Sequence, residues 1–404
     1  MSVISLQFGQ CGNQIGQTLY SVVDDDIKLN YKDDVYLQKK WFRTNRNGVW
    51  EPRSVLIDTE TKVTDNVQRS NFKFRNVVAK SFGGAANNWA FGYFQLSRKI
   101  VDEALNCVRL EVEECDFLTS ILNIYGLAGG TGSGVGSYII EQLRDEYPKK
   151  NILNCSVLAN SKGEISTQCY NSLLTLSHLH SISSGTILFQ NEKLFNICSY
   201  ILNQKQVSFS QLNLVLSNQL VSAVQSEDIT LLNNLTAYPC FKYLEIQTEP
   251  YIREHNMKFE GIRSWDALVC STFKGSRYDL HLLKENSFNM KLISGALMTH
   301  GSKNFVFNKQ VYQHSTKFVN WIPNEEVFKS FHNKKKFLDF EKYVTLILNS
   351  NRIYIPLNSL IKDAWTSFVH GAYLHHYKKF GLEEDNFINA FQELENLLDE
   401  YKNI

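Results

Sequence analysis

The sequence predicts an α/β protein: a Rossmann-like parallel sheet covered by helices, a second, smaller α/β domain, and a closing helical hairpin. Three observations carry this. Strand-like and helix-like segments alternate through the first 220 residues, the pattern of a parallel sheet with helical crossovers. Glycine-rich stretches stand directly after strand-like runs, at the sheet edge where such folds gather ligands. The last stretch, from 356, carries two helical periodicities separated by Gly381.

The elements follow in order. Val3 to Phe8 reads as the first strand, a glycine loop as its exit, and Gln14 to Ile27 as its helix. Ser54 to Asp58 is the next short apolar run. Leu96 to Val112 reads as one long helix, with Ile100, Ala104, Leu105, Val108 and Val112 at helical spacing. A strand is expected from Phe117 to Tyr125. The helix after it places Val135, Ile139, Ile140, Leu143 and Tyr147 on one face, and Pro148 ends it. Then come a strand at Ile152 to Ala159, a helix over 168–182, a strand at Thr186 to Phe189, and helical stretches at 192–203 and 210–225. From about 240 to 355 the pattern loosens, with Leu292 to Met298 and Tyr343 to Leu348 as the clearest strands. Leu357 to Tyr377 reads as a single helix, and the last one aligns Phe387, Ile388, Phe391, Leu394, Leu398 and Tyr401. The expected division is 1–225, 226–355 and 356–404.

Composition narrows the function classes. Lys and Arg number 42 against 41 Asp and Glu, which gives no support to a nucleic-acid or polybasic membrane partner. No run approaches the ~20 apolar residues of a membrane helix, and MSVISLQFGQCG lacks a basic leader, so the expected compartment is the cytoplasm. The eight cysteines form no C-x-x-C pair and read as reduced, mostly buried thiols; Cys11 stands apart because it lies among glycines. Asp24-Asp25-Asp26 reads as a solvated helix end. The histidine pairs 178/180 and 375/376 read as helix residues that point apart rather than as metal ligands.

Chemistry concentrates at 117–147. The strand stops at Gly126, and Ala128-Gly129-Gly130-Thr131-Gly132-Ser133-Gly134 opens directly into a helix. This geometry aims backbone N–H groups and a positive helix end at a phosphate, and glycines let a diphosphate reach the backbone. The Walker pattern fails because no lysine follows a loop glycine. The dinucleotide pattern fails because Val135 and Ser137 occupy the places a last glycine needs, which argues against a nicotinamide oxidoreductase. Gly9-Gln10-Cys11-Gly12-Asn13-Gln14-Ile15-Gly16 follows the first strand. Asp58-Thr59-Glu60 offers two carboxylates suited to Mg²⁺ beside phosphates. Gly83-Gly84-Ala85-Ala86-Asn87-Asn88-Trp89 is a third small-residue loop.

In this order the four segments are specific. The chain resembles the tubulin superfamily, whose nucleotide loops read G-Q-C-G-N-Q-x-G, A-G-N-N-W-A and G-G-G-T-G-S-G, over essentially Met1 to Tyr401. Within it the chain is most similar to the delta class, through Ala128 at the cradle entrance, Ser172 to Leu179, Val207 to Ser210, and Lys379 to Phe387. The resemblance implies a GTP/GDP site with Mg²⁺. Gln10 and Cys11 would meet phosphate and sugar, Asp58 and Glu60 the metal, and Asn87 the terminal phosphate. Ala128, Gly129, Gly130, Thr131 and Gly132 would wrap the diphosphate, and Glu164 would lie near the ribose. Asn191 and Asn213 would read the guanine edge, which an amide suits because it both donates and accepts. Phe209 would stack on the base.

Three departures stand out. Ala86 replaces a family glycine, so a position needing positive φ would force the third loop to shift. The segment Ser222 to Leu235 is shorter than the family's catalytic loop, leaving Asp228, with Glu227 or Thr230 as other registers, as the acid offered to a neighbour's GTP. The chain also lacks the family's glutamate-rich tail. The resemblance implies a structural protein of centriole and basal-body triplet microtubules and cilia, with tubulin-family subunits and the microtubule lattice as partners. An assembly-dependent GTPase forming conventional polymers is the alternative.

Overall fold

The computed structural model describes residues 2–69, 72–160, 163, 165–225, 231–236, 238–251, 264–274, 290–302, 305, 317–323 and 327–404. Its strands are β1 (Ser2–Phe8), β2 (Ser54–Asp58), β3 (Asn76–Ala79), β4 (Leu118–Gly126), β5 (Asn151–Leu158), β6 (Gly185–Gln190), β7 (Tyr243–Glu249), β8 (Lys291–Gly301), β9 (Lys317–Phe318), β10 (Phe328–Asn333) and β11 (Lys342–Ser350). Among the described residues these form one sheet in the order β9-β8-β11-β7-β6-β5-β4-β1-β2-β3, with β10 also on β8. Pairing is parallel from β3 to β7. It turns antiparallel at β7–β11 and β11–β8.

The helices include α1 (Gly9–Asn30), α2 (Val101–Glu113), α3 (Gly136–Glu146), α4 (Gln168–Ile182), α5 (Asn191–Asn196), α6 (Phe209–Val224), α7 (Trp265–Lys274), α8 (Tyr354–Val369) and α9 (Glu384–Lys402), with shorter ones at Val35–Trp41 and Thr61–Gln68. Strand alternation sorts them onto two faces. Ile121 and Tyr125 of β4 join the core built with α2, α3, α4 and the C-terminal helices, while Leu122 and Ile124 face α1 and α6. Both faces of β4 are therefore apolar, as expected for a central parallel strand.

Several sequence expectations are corrected. Gly9 to Gly16 is not a loop but the first turns of α1, beginning at Gly9 with φ +67°. Its glycines serve close packing: a Cβ on Gly12 would lie 2.2 Å from the Ile124 carbonyl oxygen, and one on Gly16 would strike the Gln7 side chain. Low helix propensity is overridden by that approach. The helix expected from Leu96 starts at Val101, after irregular turns over 92–99. The single helix expected to Tyr377 ends at Val369, because Gly371 and Tyr373 adopt left-handed φ values of +66° and +60°, and a short turn, Leu374–Lys378, follows. Strand β3 and the two-stranded ribbon of Phe42–Thr44 with Trp50–Pro52 have sequences too short to signal themselves. Asp26 is not solvated; it is 1% exposed.

Candidate functional site

Two neighbouring parallel strands set the site. β1 and β4 lie side by side; β1 runs straight into a helix at its carboxyl end, and β4 reaches one through the bend at 127–129. The first, α1, starts without a side-chain cap and without an acidic residue in its first turn. The second begins as a wide π-helical turn, Thr131–Val135, before α3, again uncapped and free of first-turn acids. Two electropositive helix ends thus converge with their first amides uncommitted to side chains, the arrangement that receives an anion.

The segments interlock through backbone. A Cβ on Gly9 would meet the Gly132 nitrogen at 3.1 Å; one on Gly130 would stand 2.6 Å from the Ala85 carbonyl and the Asn88 nitrogen; one on Gly134 would lie 2.3 Å from the Trp89 carbonyl. Gly129 differs. Its Cβ position meets only the Asn87 Oδ1 at 3.8 Å, so this glycine is not spent on packing. Thr59 and Thr131 share a hydroxyl hydrogen bond of 2.6 Å, which ties the carboxylate segment to the cradle. Ser133 donates to the Gly129 carbonyl and stiffens the turn from within.

The expected carboxylates divide their work. Asp58 is buried and accepts from the Thr59 N–H at 2.8 Å and the Glu60 N–H at 3.4 Å, with Asn13 Nδ2 at 3.4 Å from its other oxygen. Burial lifts its carboxyl to about 6, with Glu60 adding to the rise and the two N–H groups opposing it. Glu60 is exposed, and its carboxylate stands over Gly84, whose Cβ would be 2.3 Å from Oε1. Hard oxygen donors of this kind suit Mg²⁺, directly or through water. No group of three or more His, Cys, Asp or Glu side chains is placed to hold an ion among the described residues, so a cation here would need phosphate oxygens or water to complete its shell.

Gln10 and Cys11 occupy the first turn of α1. Cys11 lies against Gly126, and burial pushes its thiol up to about 12, so it meets a ligand as a neutral group. Asn87 stands at the cradle mouth with φ +48°. Asn191 opens α5; Phe209 and Asn213 lie one turn apart on one face of α6, which packs against α5. Phe209 is 70% exposed, a ring available for stacking. Glu164, Glu227, Asp228 and Thr230 lie outside the described residues.

A family model described as the Tubulin/FtsZ family, GTPase domain, matches residues 2–199, the span holding both helix ends, both carboxylates and Asn191. The chain is a member of the tubulin superfamily. It is 29% identical to the tubulin delta chain of Homo sapiens, with all of both chains covered. It is also 29% identical to the delta chain of Mus musculus, with 99% of each covered. A beta-1 chain from Colletotrichum graminicola is 28% identical, covering 99% of this chain and 94% of that one. The human alignment runs over 454 positions against 404 residues here, so the chain is shorter internally than this delta-chain relative.

The departure at Ala86 now has an outcome. The position is left-handed, and Ala86 itself adopts φ +48°, beside Asn87 at +48°. Asparagine tolerates this region, whereas alanine meets a steric cost of about 1–2 kcal/mol. Ala86→Gly is therefore expected to raise unfolding free energy by roughly 0.5–1 kcal/mol, after the added freedom of the unfolded chain is subtracted. Denaturant melts of the two proteins check this; equal or lower stability would show an unstrained loop.

Two site residues are not singled out by the sequence. Asn13, inside the first glycine segment, and Asn171, in the helix expected over 168–182, are both wholly buried. Asn13 Nδ2 donates to the Gly9 carbonyl at 2.9 Å and the Ile57 carbonyl at 3.3 Å, binding the start of α1 to the end of β2. The one available hint for Asn171 was its helix, whose polar residues fall on every face.

Proposed function

We propose that this tubulin binds GTP or GDP across the convergent ends of α1 and the 131–135 turn and acts as a delta-type subunit. Its role would be the assembly or maintenance of triplet microtubules in centrioles and basal bodies, and hence of cilia and flagella. The observation that carries the nucleotide reading is the pair of uncapped, acid-free helix ends on adjacent strands, closed over by loops that only glycine backbones allow. The delta assignment draws on the full-length likeness to tubulin delta chains.

The chain's own residues divide the binding. The first amides of α1 and the cradle receive the diphosphate, Asn87 meets the terminal phosphate, Asn191 and Asn213 select guanine, and Phe209 covers the base. Glu164 is assigned to the ribose. A bound Mg²⁺ would neutralise phosphate charge, with Glu60 and Asp58 holding its shell. Partners are tubulin-family subunits, alpha/beta or centriolar, and the microtubule lattice. The acid acting on a neighbour's GTP is assigned to Asp228.

Two measurements test this. The purified chain is expected to carry guanine nucleotide, released on denaturation and identified by chromatography; absence of any guanine nucleotide, with none taken up from solution, would reject the site. The tagged protein in a ciliated cell is expected at basal bodies, and signal distributed along all microtubules would reject the delta role. GTP turnover that climbs with protein concentration and vanishes in Asp228→Ala would instead favour an assembly-dependent GTPase.

A further inference from the structure

Asn171 sits in the first turn of α4, and every hydrogen-bonding position of its amide is used. Its Nδ2 donates to the Ala128 carbonyl at 2.7 Å and to the Asn87 carbonyl at 2.9 Å. Its Oδ1 accepts from the Trp89 N–H at 2.9 Å and from the Tyr377 hydroxyl at 2.7 Å. Two carbonyls face one end of the amide and two donors the other, so only one orientation fits. The side chain thereby fixes the entrance of the cradle against the third loop, across the gap where Gly129 faces Asn87.

That third loop needs holding. Ala86 and Asn87 are both left-handed, a conformation that persists only where its surroundings enforce it. Thr167 supplies a second clamp, donating to the Asn87 carbonyl at 2.8 Å. Further attachments lead to the C-terminal helices. Tyr377 is wholly buried, with its ring edge-on to Tyr170 and Phe387. Asn88 Nδ2 donates to the His376 carbonyl at 3.1 Å, and Phe91 stacks on Phe380. A buried network whose members are all satisfied transmits position well, because no member can move without leaving a polar group unpaired.

We infer that Asn171 is the positioning residue of the phosphate site, and that Tyr377 couples it to the C-terminal helical hairpin. The inference rests on the guanine-nucleotide reading above. The cradle runs on into its own helix, whereas the left-handed Ala86–Asn87 step is held through the Asn87 carbonyl by Asn171 and Thr167. Loosening them weakens contacts to the terminal phosphate and spares those to the diphosphate. By thermodynamic reciprocity, a partner that shifts the turn at 374–378 changes the preference for GTP over GDP, and the nucleotide changes that partner's affinity equally.

The experiment uses the full chain and displacement of a fluorescent GDP by unlabelled GTP and GDP. Tyr377→Phe removes one hydroxyl and no packing volume. It is expected to lower GTP affinity about three- to tenfold, the loss of one buried hydrogen bond, and to leave GDP affinity within about twofold. Asn171→Asp, which keeps both acceptor contacts but sets an oxygen against two carbonyls, is expected to change the GTP-to-GDP ratio further in the same direction. Tyr170→Phe is the control: its hydroxyl donates to the Ala372 carbonyl at 3.0 Å in the same packing layer without touching Asn171. Its ratio is expected to match the unsubstituted chain. Equal loss of GTP and GDP in Tyr377→Phe, an unchanged ratio there, or an equal shift in Tyr170→Phe overturns the inference alone. Failure of the unsubstituted chain to bind either nucleotide overturns the guanine reading and this inference together.

Discussion

Gly134→Ala is expected to destabilise the protein by about 3 kcal/mol, the upper end of what overpacking a tight site costs. Gly129→Ala is expected to melt as the unsubstituted chain does yet lose at least about tenfold in GTP and GDP affinity. The two glycines lie five residues apart in one motif, but a methyl on Gly134 would press to 2.3 Å on the Trp89 carbonyl oxygen, while one on Gly129 would enter the space before Asn87. Backbone cannot yield as a flexible side chain can, so the first substitution must separate the cradle from the third loop. The second leaves that joint intact and places a methyl where a diphosphate approaches. Thermal melts and nucleotide titration on both variants decide the matter. A Gly134→Ala protein as stable as the parent would refute the packing, and a Gly129→Ala protein binding GDP normally would remove the diphosphate from this loop.

Asp26 carries the second large effect. Its Oδ1 accepts from the Leu338 N–H at 2.7 Å and from Asn30 at 2.8 Å, and its Oδ2 accepts from Gln225 at 2.8 Å. One carboxylate thus joins α1, the end of α6 and the chain beyond β10. Asp26→Ala strands the buried Leu338 N–H and Gln225 amide and removes one of two acceptors from the half-buried Asn30, and is expected to cost about 3 kcal/mol. Burial lifts the carboxyl to about 6 from 3.8, against the opposing pull of those donors and of Lys335. The folded chain therefore binds this proton more tightly than the unfolded chain. Its contribution is complete below about pH 4 and is lost as pH rises through 6, by on the order of 3 kcal/mol. Asp26→Asn keeps the acceptor for Leu338 and Asn30, and the otherwise unpaired Gln225 Oε1 can turn to meet its new N–H. Denaturant stability of the parent minus that of Asp26→Asn, measured from pH 4 to 7.5, isolates the effect from Asp58 and Glu111, which burial also raises, to about 6 and about 7. A flat difference would mean Asp26 is ionised throughout.

The order of the four phosphate-side segments was readable because each pairs small residues with a strand end. The long helices were readable too: α4 and α6 fall within a residue or two of their expected bounds, and α9 buries Phe387, Phe391, Leu394, Leu398 and Tyr401 as expected, though Ile388 stays exposed. What escaped was tertiary. Gly9 to Gly16 spells a loop by propensity and is helical because β1 and β4 admit a helix only where Cβ atoms are missing. β3 is four residues long at the sheet edge, too brief for a period of two to show. In Asp24-Asp25-Asp26 the helix turn decides which acid goes inside; Asp24 pairs with Lys28 at the surface, whereas Asp26 turns under the chain near Leu338. Asn171 could not be singled out, since its role depends on where Tyr377, some two hundred residues later, comes to rest.

The join between β6 and β7 has a mechanical meaning. The nucleotide-side strands meet the rest of the sheet through two register pairs, Thr186 with Tyr243 and Ile187 with Leu244, whereas β5 and β6 are matched along Leu153 to Leu158. Within the sheet, load passing from one side of the chain to the other crosses that narrow ladder, beside which α6 packs on β7 and β11. A stiff rod of sixteen residues, about 24 Å long, lying beside a weak stitch is a built-in flexure. Curvature imposed on the subunit would gather there and spare the phosphate cradle.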